Sequence, residues 1–196
     1  MRGKVLFTRG AAKKNVVVKG LPEYRHESGA VRDISVLVQQ YSQLIVKGGW
    51  QVISQQGVVY ARTADRGLKQ DAMEAVGGDG SPLSYVQAAS CYHHLSDYTK
   101  KGSCLSEASI LDDSLVRNLD LFKEWSFGQV HRSLNPVFFY DSLLHPVVIL
   151  FSHHKEGIET IQKSIHRFER QGYALKFQQR NWAVQNRGDE FPKYYN

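Results

Sequence analysis

The stretch Pro146-Val-Val-Ile-Leu-Phe-Ser-His-His-Lys-Glu-Gly-Ile-Glu-Thr-Ile-Gln-Lys-Ser-Ile-His-Arg-Phe-Glu-Arg-Gln-Gly-Tyr-Ala-Leu-Lys-Phe177 carries the strongest structural pattern in the chain. Val147–Phe151 is an unbroken apolar run of the length of a strand buried on both faces. Ser152-His153-His154-Lys155 then reads as a turn. Between Lys155 and Arg170 the apolar residues Ile158, Ile161, Ile165 and Phe168 are spaced by three, four and three, one stripe of a helix. Gly172 follows as a helix stop, and Tyr173–Phe177 reads as a second strand. The expectation is a strand–helix–strand unit, either βαβ or half of a ferredoxin-like arrangement.

Working outward, Lys4–Thr8 and Asn15–Lys19 read as two strands joined by a basic turn. Ile34, Leu37, Val38, Tyr41 and Leu44 or Ile45 predict an amphipathic helix between Ala30 and Lys47, with Ser28 as a candidate cap and Gly48-Gly49 as the stop. Trp50–Ser54 and Val58–Arg62, on either side of Gln55-Gln56-Gly57, read as a hairpin. The first sixty-five residues thus go ββαββ. A short helix fits Asp71–Val76. Residues 77–82 have the most flexible composition and mark a mobile loop or sub-domain boundary. Ser81-Pro82 opens a helix to about Tyr98, and Ser106-Glu107 opens another to about Trp125. Val137–Leu144 is open between strand and helix. The predicted class is α+β in a single domain: an antiparallel N-terminal sheet, a helical middle and the C-terminal strand–helix–strand unit.

The chain has 196 residues, 42% of them apolar, enough for a sizeable core. It lacks any run of about eighteen apolar residues, so no membrane partner is expected. Val5-Leu6-Phe7 lies between charges and makes no signal peptide, and two cysteines, Cys91 and Cys104, make no disulfide framework. The expected location is the cytoplasm. The net charge of +6 is unevenly placed. Residues 1–20 hold six basic side chains and no acid, residues 81–150 have a net charge of −2, and residues 151–196 have +3. Basic ends around an acidic middle suit a surface with one positive face, and nucleic acid is the commonest partner of such a face.

Side-chain chemistry yields three readings. Arg2, Lys4, Arg9, Lys13, Lys14 and Lys19 at one end, with Lys163, Arg167, Arg170, Lys176 and Arg180 at the other, can contact phosphates. His166 joins Lys163, Arg167 and Arg170 on the expected outer helix face, and Tyr173, Trp182 and Tyr194 are available to stack on bases. The bland alternative is that the aromatics pack the core and the cations keep the surface solvated. The second reading is an enzyme acting on a phosphate-containing or anionic substrate. There His153 and His154 would stand at a strand end beside a helix N-terminus, as catalytic candidates. The third is a protein-interaction module, an inhibitor or assembly subunit, using the acidic helical middle.

Cys91 with His93 or His94, and Cys104 further on, has zinc-ligand chemistry without the paired spacing of structural sites. Asp113, Asp120 and Glu124 fit an ordinary acidic helix face. No metal or cofactor is therefore assigned, and nucleophile-elbow, P-loop and dinucleotide-binding motifs are absent. Binding of nucleic acid, RNA or DNA, through the basic ends is the leading expectation.

Overall fold

The computed structural model describes residues 5–6, 31–65, 67–101, 109–111, 113, 125–127, 133–154 and 160–185. In chain order β1 is Val5–Leu6, β2 Arg32–Asp33, α1 Val36–Gln39, β3 Leu44–Val46, β4 Trp50–Gln55, β5 Val58–Thr63 and β6 Leu68–Lys69. A 3-10 turn, Ala72–Ala75, leads into β7, Val76–Gly78, and then α2, Pro82–Lys101. β8 is Ser109–Ile110, β9 Trp125–Phe127, β10 Val137–Tyr140, β11 Pro146–His154, β12 Thr160–Phe168 and β13 Leu175–Gln185. The result is a sheet-rich α+β protein with one long helix among the described residues. No helix among the described residues is long and apolar enough to cross a membrane.

The C-terminal unit departs from its sequence reading. Residues 160–168 form a strand where a helix was expected, so β11, β12 and β13 make a consecutive antiparallel meander. Spacing explains the misreading. Ile161 and Ile165, four residues apart, share a face in a strand as well as in a helix. On the other face β12 buries Ser164, His166 and Phe168. Two of those core positions are polar, which hides the period-two signal. Thr160, Ile161 and Ile165 are β-branched and suit the pleat. The apolar run 147–151 lies within β11, which extends to His154, so His153 and His154 belong to the strand and not to a turn.

β10 through β13 form the middle of a seven-stranded sheet ordered β1-β10-β11-β12-β13-β9, with β8 pairing β11. β1 pairs with β10, Val5 opposite Phe138. The other expected strand, 15–19, lies outside the described residues. The long helix expected between 30 and 47 is a single turn, α1, flanked by β2 and β3. Its inward pattern was legible all the same: Ile34, Leu37, Val38, Tyr41 and Leu44 are all buried. The helix expected from 106 to 125 meets strands at both ends, β8 and β9, and residues between them lie mostly outside the described set. The tail after 187 also lies outside it.

The hairpin β4–β5 is as the sequence reads. Gln55 pairs with Val58 across a two-residue turn, and Gln56 (φ 52°) and Gly57 (φ 74°) both take the left-handed region that such a turn requires. α2 begins as its Ser81-Pro82 signal predicts, with the Ser84 amide donating to Ser81 Oγ at 3.2 Å. The Asp71–Val76 segment becomes the 3-10 turn, capped by Asp71 Oδ1 accepting from the Met73 amide at 2.9 Å. Residues 76–78 pair with β3.

α2 packs against one face of the large sheet. Tyr85 stacks on Phe138 and Tyr173, with centroids 5.8 and 4.9 Å away, and meets Phe168 at 5.1 Å. Such contacts add about 1 kcal/mol per pair beyond area burial. Tyr173 is tied at its far end, its hydroxyl accepting from the Gly80 amide at 3.0 Å and lying 2.7 Å from Ser84 Oγ. One continuous buried cluster runs from Ile34 through α2 to Phe138, Leu150 and Tyr173. On the opposite face Val147, Phe151 and Ile161 are buried as well, so that face reaches solvent only in part, through its polar side chains.

Candidate nucleic-acid interface

Strand pairing decides which C-terminal side chains share a face. Directly opposed residues on neighbouring strands point the same way. On the α2 side, Val148, His166 and Phe177 form one row, and Leu150, Ser164 and Gln179 another. On the outer side the rows are Val147–Arg167–Lys176, Ile149–Ile165–Gln178 and Phe151–Lys163–Arg180. Lys163 is thus directly opposite Arg180, and Arg167 directly opposite Lys176, all on one face. The two cationic rows stand four residues apart, about 13 Å along the strands.

Like charges in opposed positions destabilise a sheet by up to about 1 kcal/mol a pair. Arg167 is relieved by Asp141, its Nε donating to Oδ2 at 2.7 Å. The other row is built around an indole. Lys163 Nζ lies 5.4 Å and the Arg180 guanidinium 5.9 Å from the Trp182 ring centroid, and Phe151 meets that ring edge-on at 5.4 Å. A break in register places Trp182 between Asn181, which pairs with Gln162, and Ala183, which pairs with Ile161. Lys176 and Arg180 are exposed, and Lys163, Arg167 and Trp182 half-buried. Chemically, this face offers cations for phosphates beside an aromatic ring for a base.

The expected set is regrouped. Lys163, Arg167, Lys176 and Arg180 come together, but as a sheet face and not as a helix surface. Arg170 lies just past β12, exposed, with Nε donating to Leu143 O at 2.9 Å. His166 leaves the group because strand alternation turns it towards α2. Tyr173 is buried and cannot stack on a ligand. Arg2, Lys4, Arg9, Lys13, Lys14, Lys19 and Tyr194 lie outside the described residues.

The two catalytic candidates separate. As neighbours on a strand, His153 and His154 point to opposite faces, and His153 is buried. The helix expected to follow them is a strand from Thr160 onward, and residues 155–159, where its N-terminus was expected, are outside the described set. His154 Nε2 lies 2.9 Å from Ser152 Oγ, a hydroxyl–imidazole contact on one face. That contact was missed because the sequence reading treated 152–155 as a turn, where the two-residue spacing has no fixed meaning.

A second histidine pair is equally invisible in the sequence. His93 of α2 and His166 of β12 meet with their Nε2 atoms 3.0 Å apart, walled by Tyr92 and Phe177. Burial, then the adjacent His93, holds His166 well below the usual histidine range, so it is neutral in the fold. The unfolded chain takes up a proton below about pH 6.5 that the folded chain refuses. Stability is therefore expected to fall with decreasing pH, by about 1.4 kcal/mol per unit below pH 6.5. Urea unfolding at pH 7 and pH 5.5 measures the slope, and His166→Phe should flatten it; an unchanged slope would refute the assignment.

Cys91 and the neighbouring histidines diverge. Cys91 is fully buried, which pushes its thiol up, while His94 Nδ1 sits 2.9 Å from the Tyr41 hydroxyl. Cys104 is outside the described residues. Asp113 is helical, and its carboxylate accepts from the Leu134 amide at 2.7 Å, from Ser133 Oγ at 2.7 Å and from Asn135 Nδ2 at 3.1 Å. Asp120 and Glu124 are outside the set. No cluster of three or more metal-ligating side chains occurs among the described residues. A cavity of about 570 Å³ beside the β4–β5 hairpin is lined by Trp50, Gln51, Arg62 and Thr63.

No protein family, no curated protein and no solved structure matches this chain.

Proposed function

We propose that this protein binds single-stranded nucleic acid across the outer face of its large sheet. The observation that supports the reading is the pair of opposed like charges, Lys163 with Arg180 and Arg167 with Lys176, arranged on one face around Trp182. The opposed pairs gather four cations on one face beside an indole, and a polyanion laid across both rows contacts them and offers a base to the ring. Arg2, Lys4, Arg9, Lys13, Lys14 and Lys19 add phosphate contacts at the other end of the chain.

The test is anisotropy of labelled single-stranded DNA and RNA oligonucleotides against salt. Four phosphate contacts predict a slope of log K on log salt of about −3, steeper if the N-terminal cations also engage. Absent or salt-independent binding would sink the proposal.

A second reading rests on the contact of Ser152 Oγ with His154 Nε2 at 2.9 Å. A neutral imidazole there accepts the hydroxyl proton, as in a nucleophile activated by a base. If the site hydrolyses an anionic ester, Ser152→Ala and His154→Ala each remove turnover and leave the melting curve in place. Equal turnover in wild type and variants would reject it.

A further inference from the structure

The turn joining β10 to β11 carries an anomaly. Leu144 has φ 66°, in the left-handed region where glycine or asparagine is at ease and a branched aliphatic side chain is not. Burial does not repay the strain, because Leu143 is 55% exposed, Leu144 45% and Tyr140 38%. Nor is the turn loose. Asp141 Oδ1 accepts from the amides of Leu143 and His145 at 2.9 Å each, and its Oδ2 from Arg167 at 2.7 Å. Arg170 Nε holds Leu143 O at 2.9 Å, and His145 Nδ1 lies 2.9 Å from Phe168 O. A leucine is held by a hydrogen-bonded turn, in an unfavourable backbone state, with its side chain about half-exposed.

Position supplies a use. The row nearest this turn is Arg167–Lys176, the second row of the cationic face, and Arg170 flanks the tip itself. A strand that crosses the face from Arg180 on β13 to Arg167 on β12 heads for this turn, which Arg167 and Arg170 both touch. We propose that the β10–β11 tip is an apolar wedge, in which Leu143 and Leu144 enter between successive bases of the bound strand and unstack them while Arg167, Arg170 and Lys176 hold the flanking phosphates. The proposal rests on the reading of the outer face as a nucleic-acid surface. Continuity with that face favours nucleic acid as the occupant. A lipid surface would accept apolar side chains in any orientation, so it leaves the fixed, strained Leu144 unexplained.

The experiment uses the full chain and single-stranded oligonucleotides with 2-aminopurine scanned through the sequence, since its emission rises when neighbouring bases unstack. Wild type should raise emission at one or two adjacent positions. Leu144→Gly should abolish that rise and weaken binding about tenfold, with a melting temperature no lower than wild type because glycine accepts φ 66°. Leu143→Ser should likewise lose the rise with its fold intact. Salt-dependent binding with no localised rise, or a rise that both variants keep, overturns the wedge and leaves the cationic face standing. Failure of wild type to bind any oligonucleotide overturns both. Loss in the variants of self-association or of binding to anionic vesicles, with oligonucleotide signals unchanged, assigns the tip to a different occupant and also overturns it.

Discussion

The double variant Lys163→Glu/Arg180→Glu is expected to lose oligonucleotide binding at 0.15 M salt, by a factor of about a hundred or more, while remaining folded and melting only a few degrees below wild type. The reason lies in the register. Lys163 and Arg180 are directly opposed on the outer face, so reversing both keeps one like-charge pair, and the stability cost is the loss of their two cation–π contacts with Trp182, about 1–2 kcal/mol. For a polyanion the same change replaces two attractive charges by two repulsive ones within about one Debye length of the backbone. Lost contacts also flatten the salt dependence, by about 0.7 in slope for each phosphate no longer neutralised. The single variant Lys163→Glu separates the effects further. It exchanges the repelling pair for an attracting one and gives up the cation–π contact of Lys163 with Trp182, opposing effects of similar size, so it should melt near wild type and still bind more weakly. Should the double variant bind as tightly as wild type, the outer face has no part in binding.

Gly78→Ala is expected to be the most damaging single-methyl change, costing about 3 kcal/mol. A Cβ at Gly78 would sit 2.5 Å from the Tyr173 hydroxyl and 2.7 Å from the backbone oxygen of Gln43. The Tyr173 hydroxyl is committed to the Gly80 amide and Ser84 Oγ, and Gln43 precedes β3, which pairs with β7. Neither neighbour moves without breaking its own bonds. For a chain of this size the melting temperature should fall by about 6–12 °C. Gly80→Ala is the control: open space surrounds its Cβ, so only the strain of φ 73° opposes it, about 1 kcal/mol. Equal melting temperatures for the two variants would show that the close approach of β7 to Tyr173 is not tight.

Legibility differed by element for physical reasons. The β4–β5 hairpin and the start of α2 were readable because their signals are local. Gln56-Gly57 suits a turn with both central residues left-handed, and Ser81-Pro82 caps and begins a helix whatever packs on it. The single turn at α1 was overestimated because its inward residues, Ile34 to Leu44, are buried at helix-like intervals by a chain that is mostly not helical. β12 was misread for a related reason: Ile161 and Ile165 at a spacing of four fit both periods, and the residues that break the tie, Ser164 and His166, are polar although buried.

The basic and aromatic residues of the candidate site were visible in the chain, since charge and ring are properties of single residues. Their grouping was not. Lys163, Arg167, Lys176 and Arg180 share a face only through the pairing of β12 with β13, and no spacing within either strand encodes that register. The same holds for His93 meeting His166 across seventy-three residues of sequence, and for the turn in which Leu144 takes φ 66°. Composition and local turn chemistry thus establish an apolar, basic α+β chain with a hairpin and a long helix. Tertiary pairing, set by burial of Phe138, Phe168 and Tyr173 against Tyr85 of α2, decides which side of the sheet carries its cations.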